Sequence, residues 1–427
     1  MLMEKIVLLL ACACLLLLLA SGCARYLNKN SGSIVQVGQP VRVSQENTDA
    51  AEPAVAAAPD GTAYVAWVVH RANKESDVFV AHLDGEGRAT GEPVRVNEKA
   101  GEATAWRGDQ PTIRVAPDGS IYVGWTGRVA GERHATNLYL SASHDGGRTF
   151  SPPSKVNDDQ KPGSHGMHSL AVASDGRIHL AWLDERNVGP PAGANSGQGQ
   201  AEQHMERNSE VFTAFSADGG RSFSPNRRVA SEACPCCKTS LAVAPDGRVY
   251  VGWRQVLPGE YRHIAVSSSA DGGQTFSSPV IVADDQWVIA GCPVSGPALN
   301  VTRDSALRVM WYTAGERGKT GLYWAESRDA GKTFSESRLF AGGQAFGAPL
   351  LLANGRDDHV AVWANDDGGA QRVMASTLNA GDNQSAHFVI SAELPSAATA
   401  GDQLFVGYII NANDRRSIWV ARAKLAA

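Results

Sequence analysis

Ser143-His-Asp145-Gly-Gly147-Arg-Thr149-Phe150 decides the fold, because the chain repeats the phrase three more times. It returns as Ser216-Ala-Asp218-Gly-Gly220-Arg-Ser222-Phe223, as Ser269-Ala-Asp271-Gly-Gly273-Gln-Thr275-Phe276 and as Ser327-Arg-Asp329-Ala-Gly331-Lys-Thr333-Phe334. A short carboxylate such as Asp145 accepts hydrogen bonds from nearby backbone N–H groups and hydroxyls, which closes a tight turn. Gly147 permits backbone angles that other residues avoid. The phenylalanine that ends each phrase supplies a ring to bury. Aspartates spent in this way mark a turn between two strands. They are not acids waiting for a substrate.

A second phrase alternates with the first. A Pro-Asp-Gly or similar turn leads into a β-branched or aromatic run that ends in tryptophan. Pro59-Asp60-Gly61 leads to Trp67, Pro117-Asp118-Gly119 to Trp125, Ser174-Asp175-Gly176 to Trp182 and Pro245-Asp246-Gly247 to Trp253. Arg303-Asp304 leads to Trp311 and Asn354-Gly355 to Trp363, and a weaker copy runs from Gly401-Asp402 into Leu404–Tyr408. The interval is roughly fifty to sixty residues, the length of one propeller blade. One unit reads as four strands: Leu241–Ala244, Arg248–Trp253, Ile264–Ser268 and Pro279–Ala283. Alternation within them predicts sheets covered on both faces. No helical period follows the first residues. The last unit, Leu394–Leu425, offers only three strands. Gln39-Pro-Val-Arg-Val-Ser44 resembles the outer strand Glu92-Pro-Val-Arg-Val-Asn97 and is expected to complete it, removing an exposed edge.

The repeated phrase resembles the Asp-box, or BNR repeat, of sialidases and their relatives. The resemblance implies an all-β propeller of four-stranded blades over residues 34–427. Counting the units predicts seven blades; six, the number in sialidases, is the alternative. Sialidases hold the substrate carboxylate with three arginines, and the first lies in a Phe/Tyr-Arg-Ile-Pro phrase. This chain has no such phrase. Its nearest approach, Thr112-Ile113-Arg114-Val115, lacks the proline. The resemblance therefore implies architecture and carries no catalytic residue across. Glu185, Arg186, Arg254 and Tyr261, with Asp109 and Glu260, are catalytic candidates by position alone. The expected role is ligand binding; exo-sialidase or other glycoside hydrolase or lyase activity is the alternative.

In a four-stranded blade the two phrases share one rim, so the loops after each tryptophan and the links into each inner strand share the other. Ligand sites gather where such loops converge. That rim is rich in arginine: Arg107, Arg133, Arg186, Arg254, Arg262 and Arg317 are candidates to hold a carboxylate, sulfate or phosphate, as on an anionic glycan. The plainer reading pairs each arginine with a neighbouring acid such as Glu260, Asp184, Glu185 or Asp366. The links also carry soft ligands: His165 and His168 around Met167, Cys234, Cys236 and Cys237 in a Cys-Pro-Cys-Cys run, and Cys292. Thiolate, imidazole and thioether together suit copper(I), and cysteine with histidine suits zinc. Structural disulfides and a redox-active thiol pair are the competing readings.

The amino terminus reads as an export signal. A charged start precedes the apolar run Ile6–Leu19, and Ala20-Ser-Gly-Cys23 resembles a bacterial lipobox with Ala20 in the place of the usual leucine. Residues 1–22 are expected to be removed, Cys23 lipidated and residues 23–33 left as a tether. The protein would then face the periplasm or cell exterior, with the membrane, an anionic glycan or an envelope protein as partner. Basic residues number 39 against 44 acidic ones, which gives a net charge of −5 and argues against a nucleic-acid surface.

Overall fold

A computed structural model describes residues 34–105, 108–132, 135–188, 207–289, 291, 293–353, 359–378, 388–412 and 415–425. Among them are strands and turns and no helix. Cys23, Arg107, Arg133 and Cys292 lie outside the described residues.

Seven four-stranded antiparallel meanders follow one another. Their inner strands are Asp49–Ala57, Thr112–Val115, His165–Val172, Ser240–Val243, Ala298–Val301, Ala345–Ala353 and Glu393–Ala400. Each inner strand packs against the next, and the seventh returns to the first. The apolar core follows the same circle. One cluster joins Val65, Trp67 and Val69 of the first blade to Phe405 and Ile418 of the last. Another joins Ala66 and Val68 to Ile113 and Trp125 of the second blade. Five more clusters fill the remaining interfaces. The chain is a seven-bladed β-propeller.

The last blade closes as the sequence suggested. Ile34–Arg42 runs antiparallel to Arg415–Leu425, the third strand of that blade. The two similar outer strands make matching contacts. Arg42 Nε donates to the Ser44 carbonyl at 3.2 Å, and Arg95 Nε donates to the Asn97 carbonyl at 3.2 Å. Residues 39–44 are thus a repeat-unit strand displaced to the other end of the chain.

Tryptophan anchors the blades. Trp67, Trp182, Trp253 and Trp311 are 0 % exposed and Trp125 is 1 %. The seventh blade uses Tyr408, whose phenol is pushed up to about 12 by burial. The Asp-boxes are built alike. Asp145 Oδ1 accepts from Arg148 N and Thr149 N at 3.0 Å, and its Oδ2 accepts from Thr149 Oγ1 at 2.6 Å. These bonds hold the Asp145 carboxyl below the usual range even at the surface. Gly220, with φ near +84, also leaves no room: a Cβ there would lie 2.6 Å from Leu140 of the preceding blade.

Candidate functional site

The link into the fourth blade brings sulfur together. Cys234 N donates to the Arg254 carbonyl at 2.8 Å, and Cys237 N donates back to the Cys234 carbonyl at 3.3 Å, so residues 234–237 form a tight turn. Cys234 Sγ lies 3.0 Å from Cys237 Sγ and 3.7 Å from Cys236 Sγ. All three are buried, at 0–2 % exposure, within a core cluster that includes Met167. Cys234 and Cys237 are free thiols, whereas Cys236 is disulfide-bonded. The hydrogen bond from Cys237, aided by the charges of Arg254 and Arg262, pulls the Cys234 thiol down to about 6. Burial, together with the neighbouring Cys234, pushes the Cys237 thiol well up. The pair is therefore asymmetric, one thiolate receiving a bond from one thiol.

Arg254 adds a buried positive charge that favours both thiolates, while burial and the Cys234–Cys237 bond set the two apart. Its side chain is wholly buried, lies over the Trp287 ring at 4.7 Å and donates to three carbonyls. These belong to Ser295 at 2.8 Å, Arg262 at 3.1 Å and Tyr312 at 2.8 Å. No carboxylate among the described residues lies within salt-bridge distance of it, and its charge acts on the Cys234 thiolate and also on the nearby Asp285 carboxyl. Arg262 is nearly buried too. It reaches Glu260 at 2.9 Å, and its Nε has no partner.

The two histidines do not join the sulfurs. Among the described residues the only group of close potential ligands is Cys234, Cys236 and Cys237. His165 faces Asp159 at 3.1 Å and Asp184 at 3.5 Å. Burial disfavours its charge, but these acids and the Thr136 carbonyl outweigh it, so its pKa is raised. His168 faces Asp109 at 3.7 Å, and burial, with the nearby Lys238 charge, lowers its pKa. Carboxylates on the neighbouring links hold both rings in place. The shared cysteine–histidine centre that the sequence suggested is thereby reduced to sulfur.

The arginines are likewise engaged. Arg186 binds Asp184, Asp158 and Asn226 and covers the Phe212 ring at 4.3 Å. Arg317 pairs with Asp284 at 2.9 Å on the surface. Tyr261 packs against His263, and Glu185 is exposed, its N–H donating to the Ser164 carbonyl at 3.0 Å. The described arginines Arg186, Arg254, Arg262 and Arg317 hold protein groups, and Arg254 and Arg262 lie together beside Cys234. The plainer reading of the sequence fits them: the loops that carry them also supply acids. Sequence reasoning missed two partners of the sulfur site, Trp287 and the carbonyl cage around Arg254. An arginine directly after a blade tryptophan, where other blades place valine, threonine, leucine, tyrosine or alanine, was the available signal.

Comparison with known proteins agrees with this architecture. A Dyadobacter fermentans protein of unknown function superposes with a TM-score of 0.52 at 15% identity, covering 92% of this chain and 99% of that one. A PL25 ulvan lyase gives 0.56 at 10% identity, covering 91% of this chain and 96% of that one. The Hadza microbial sialidase Hz136 gives 0.51 at 16%, covering 86% and 75%. At such identities the likeness concerns the fold alone. No curated protein matches by sequence. The BNR repeat-like domain profile matches residues 61–368. That match spans most of the chain, and together with four Asp-boxes in seven blades it places the chain in the BNR repeat-like domain family.

Proposed function

We propose that the protein is a lipid-anchored, cell-envelope binding propeller whose working centre is the sulfur turn at residues 234–237. Its ligand is a soft cation, copper(I) ahead of zinc. The observation that carries this reading is the convergence of three cysteine sulfurs within 4.8 Å of one another, fully buried, on a link a propeller does not need to build from cysteine. Cys234 and Cys237 supply two sulfur ligands without breaking the Cys236 disulfide, and paired thiolates favour copper(I). Two thiolates around one monovalent ion leave a net negative charge. The buried Arg254, which has no salt bridge to a described carboxylate, contributes positive charge beside them. Zinc needs four ligands with sulfurs at about 2.3 Å, which asks more of this turn.

A role as exo-sialidase or other glycoside hydrolase finds less support, because the described front arginines already hold protein groups. One observation favours a different chemistry. The 3.0 Å separation of Cys234 and Cys237 suits closure to a disulfide with little movement.

Elemental analysis of protein purified without chelator separates these readings. About one copper per chain is expected, lost in the Cys234→Ser/Cys237→Ser double variant, with the two thiols shielded from alkylation until the metal is removed. Metal-free protein that remains so after reduction and exposure to copper(I) or zinc, with Cys234 and Cys237 isolated as an oxidised pair, would overturn metal binding and leave a dithiol couple.

A further inference from the structure

The axis of the ring holds two cations, Arg114 and Lys238, that form no salt bridge with a described carboxylate. Inner strands of all seven blades line an axial cavity of about 170 Å³. Arg114, on the second inner strand, is exposed to this channel, and the surrounding protein lowers its pKa. Among the described residues its side chain makes one hydrogen bond, from Nη1 to the adjacent Ile113 carbonyl at 2.8 Å. Lys238 enters from the fourth blade, and its Nζ donates only to the Gln110 carbonyl at 2.7 Å. No carboxylate oxygen among the described residues comes within salt-bridge distance of either group. Asp109, the acid whose charge acts on Lys238, is occupied by Met167 N at 2.7 Å and faces His168.

Neutral polar groups at the same place are also unsatisfied. Gln110 Oε1 and Thr112 Oγ1 are buried without partners among the described residues. Thr112 and Arg114 stand two apart on one strand and so share a face. Ser169 reaches Thr239 at 3.0 Å within the lining. Leu170, Leu241, Leu299 and Leu351 supply apolar walls. A folded chain seldom leaves buried hydrogen-bonding groups idle unless water or a ligand completes them, and here two channel-facing cations stand beside them. Most of the guanidinium donors remain open, and a planar fork of N–H groups suits an oxyanion.

We infer that the axial channel is a binding site for a small oxyanion, sulfate or phosphate, held between Arg114 and Lys238. The cavity admits the ion with some water, and it admits the charged end of a larger ester as well. The site is separate from the sulfur turn, for it uses neither the thiols nor Arg254.

Thermal unfolding and calorimetric titration with sodium sulfate, inorganic phosphate and sodium chloride at matched ionic strength test this inference. Sulfate or phosphate should raise the melting temperature of the wild-type protein by about 2–4 °C over chloride, with saturation at millimolar concentration. Arg114→Gln should lose that saturable rise and weaken binding about tenfold or more, and Lys238→Gln should weaken it less. Arg114→Gln should also melt no lower than the wild type in anion-poor buffer, because an unneutralised cation has gone. Galactose 6-sulfate binding more tightly than free sulfate would assign the site to an ester; the reverse would assign it to the ion. A rise that never saturates and is equal in wild type and both variants is the general salting effect of these anions and would overturn the site.

Discussion

Arg254 occupies a position where a charge is costly, since a fully buried guanidinium loses its water and gains only carbonyl partners. It binds links from three places in the chain, at Ser295, Arg262 and Tyr312, and so fixes the floor beneath Cys234. Arg254→Met keeps much of the packing on Trp287 but leaves those carbonyls without their donors. A loss of about 3–5 kcal/mol in denaturant unfolding is expected. The same change removes a charge that favours the Cys234 thiolate. In the reduced, metal-free protein the Cys234 pKa is depressed to about 6 from 9.0. A depressed acid stabilises the fold fully above its unfolded value, progressively less as pH falls, and not at all below its folded value. Stability of the reduced protein should therefore climb between pH 6 and 9, and thiolate absorbance at 240 nm should appear near pH 6. Cys237, shifted upward, opposes this only above pH 9. Arg254→Met should move the absorbance step to higher pH and flatten the climb. An unmoved step would show that Cys237 alone sets the thiolate.

The closing strand shows how much an element owes to pattern and how much to partners. Residues 39–44 are recognisable because they copy the outer strand at 92–97, and the structure gives both the same arginine-to-carbonyl bonds. The first half of the strand, from Ile34, carried no such signal. It is fixed by its ladder with Ala423–Leu425 and by burial of Ile34 to 3 % exposure. Turn chemistry made the other blades legible for a similar reason: Pro-Asp-Gly and the Asp-box dictate backbone angles locally, whatever the rest of the fold does. Removing residues 34–43 would strip one whole ladder from Arg415–Leu425 and open the ring. The deletion should cost about 5 kcal/mol or more, from lost apolar burial and unpaired edge groups, and should convert a monomer into self-associating species. Size-exclusion chromatography of the deletion beside the intact mature chain checks this. A monomer of unchanged stability would mean that the last blade does not need its outer strand.

At the scale of the whole molecule, repetition announces architecture and conceals chemistry. Seven copies of one unit make the ring readable, since most copies repeat a turn before a buried aromatic and four carry the Asp-box. A site occurs once, where a copy departs from the pattern, and its meaning depends on what lies across the interface. Cys234–Cys237 was visible as such a departure, whereas the cage around Arg254 and the axial pair Arg114 and Lys238 required the ring to be closed in space. Histidines misled because acids claim them: Asp109 comes from the link into the second blade, Asp184 from the strand paired with His165, and Asp159 from just upstream in the same link. The same ring bears on the proposed anchor. The closing strand begins at Ile34, so a proposed anchor at Cys23 would tie the propeller to its membrane by a segment of about ten residues, spanning at most ~35 Å. The lipobox reading predicts that wild-type protein, expressed with its own signal, partitions with the membrane fraction and gains mass from acyl chains at Cys23. Cys23→Ala should abolish acylation and shift the protein out of the tightly bound fraction, or stall it with the signal attached. Recovery of the unmodified wild-type chain as a cleaved, freely soluble product would remove the anchor and leave a diffusible propeller.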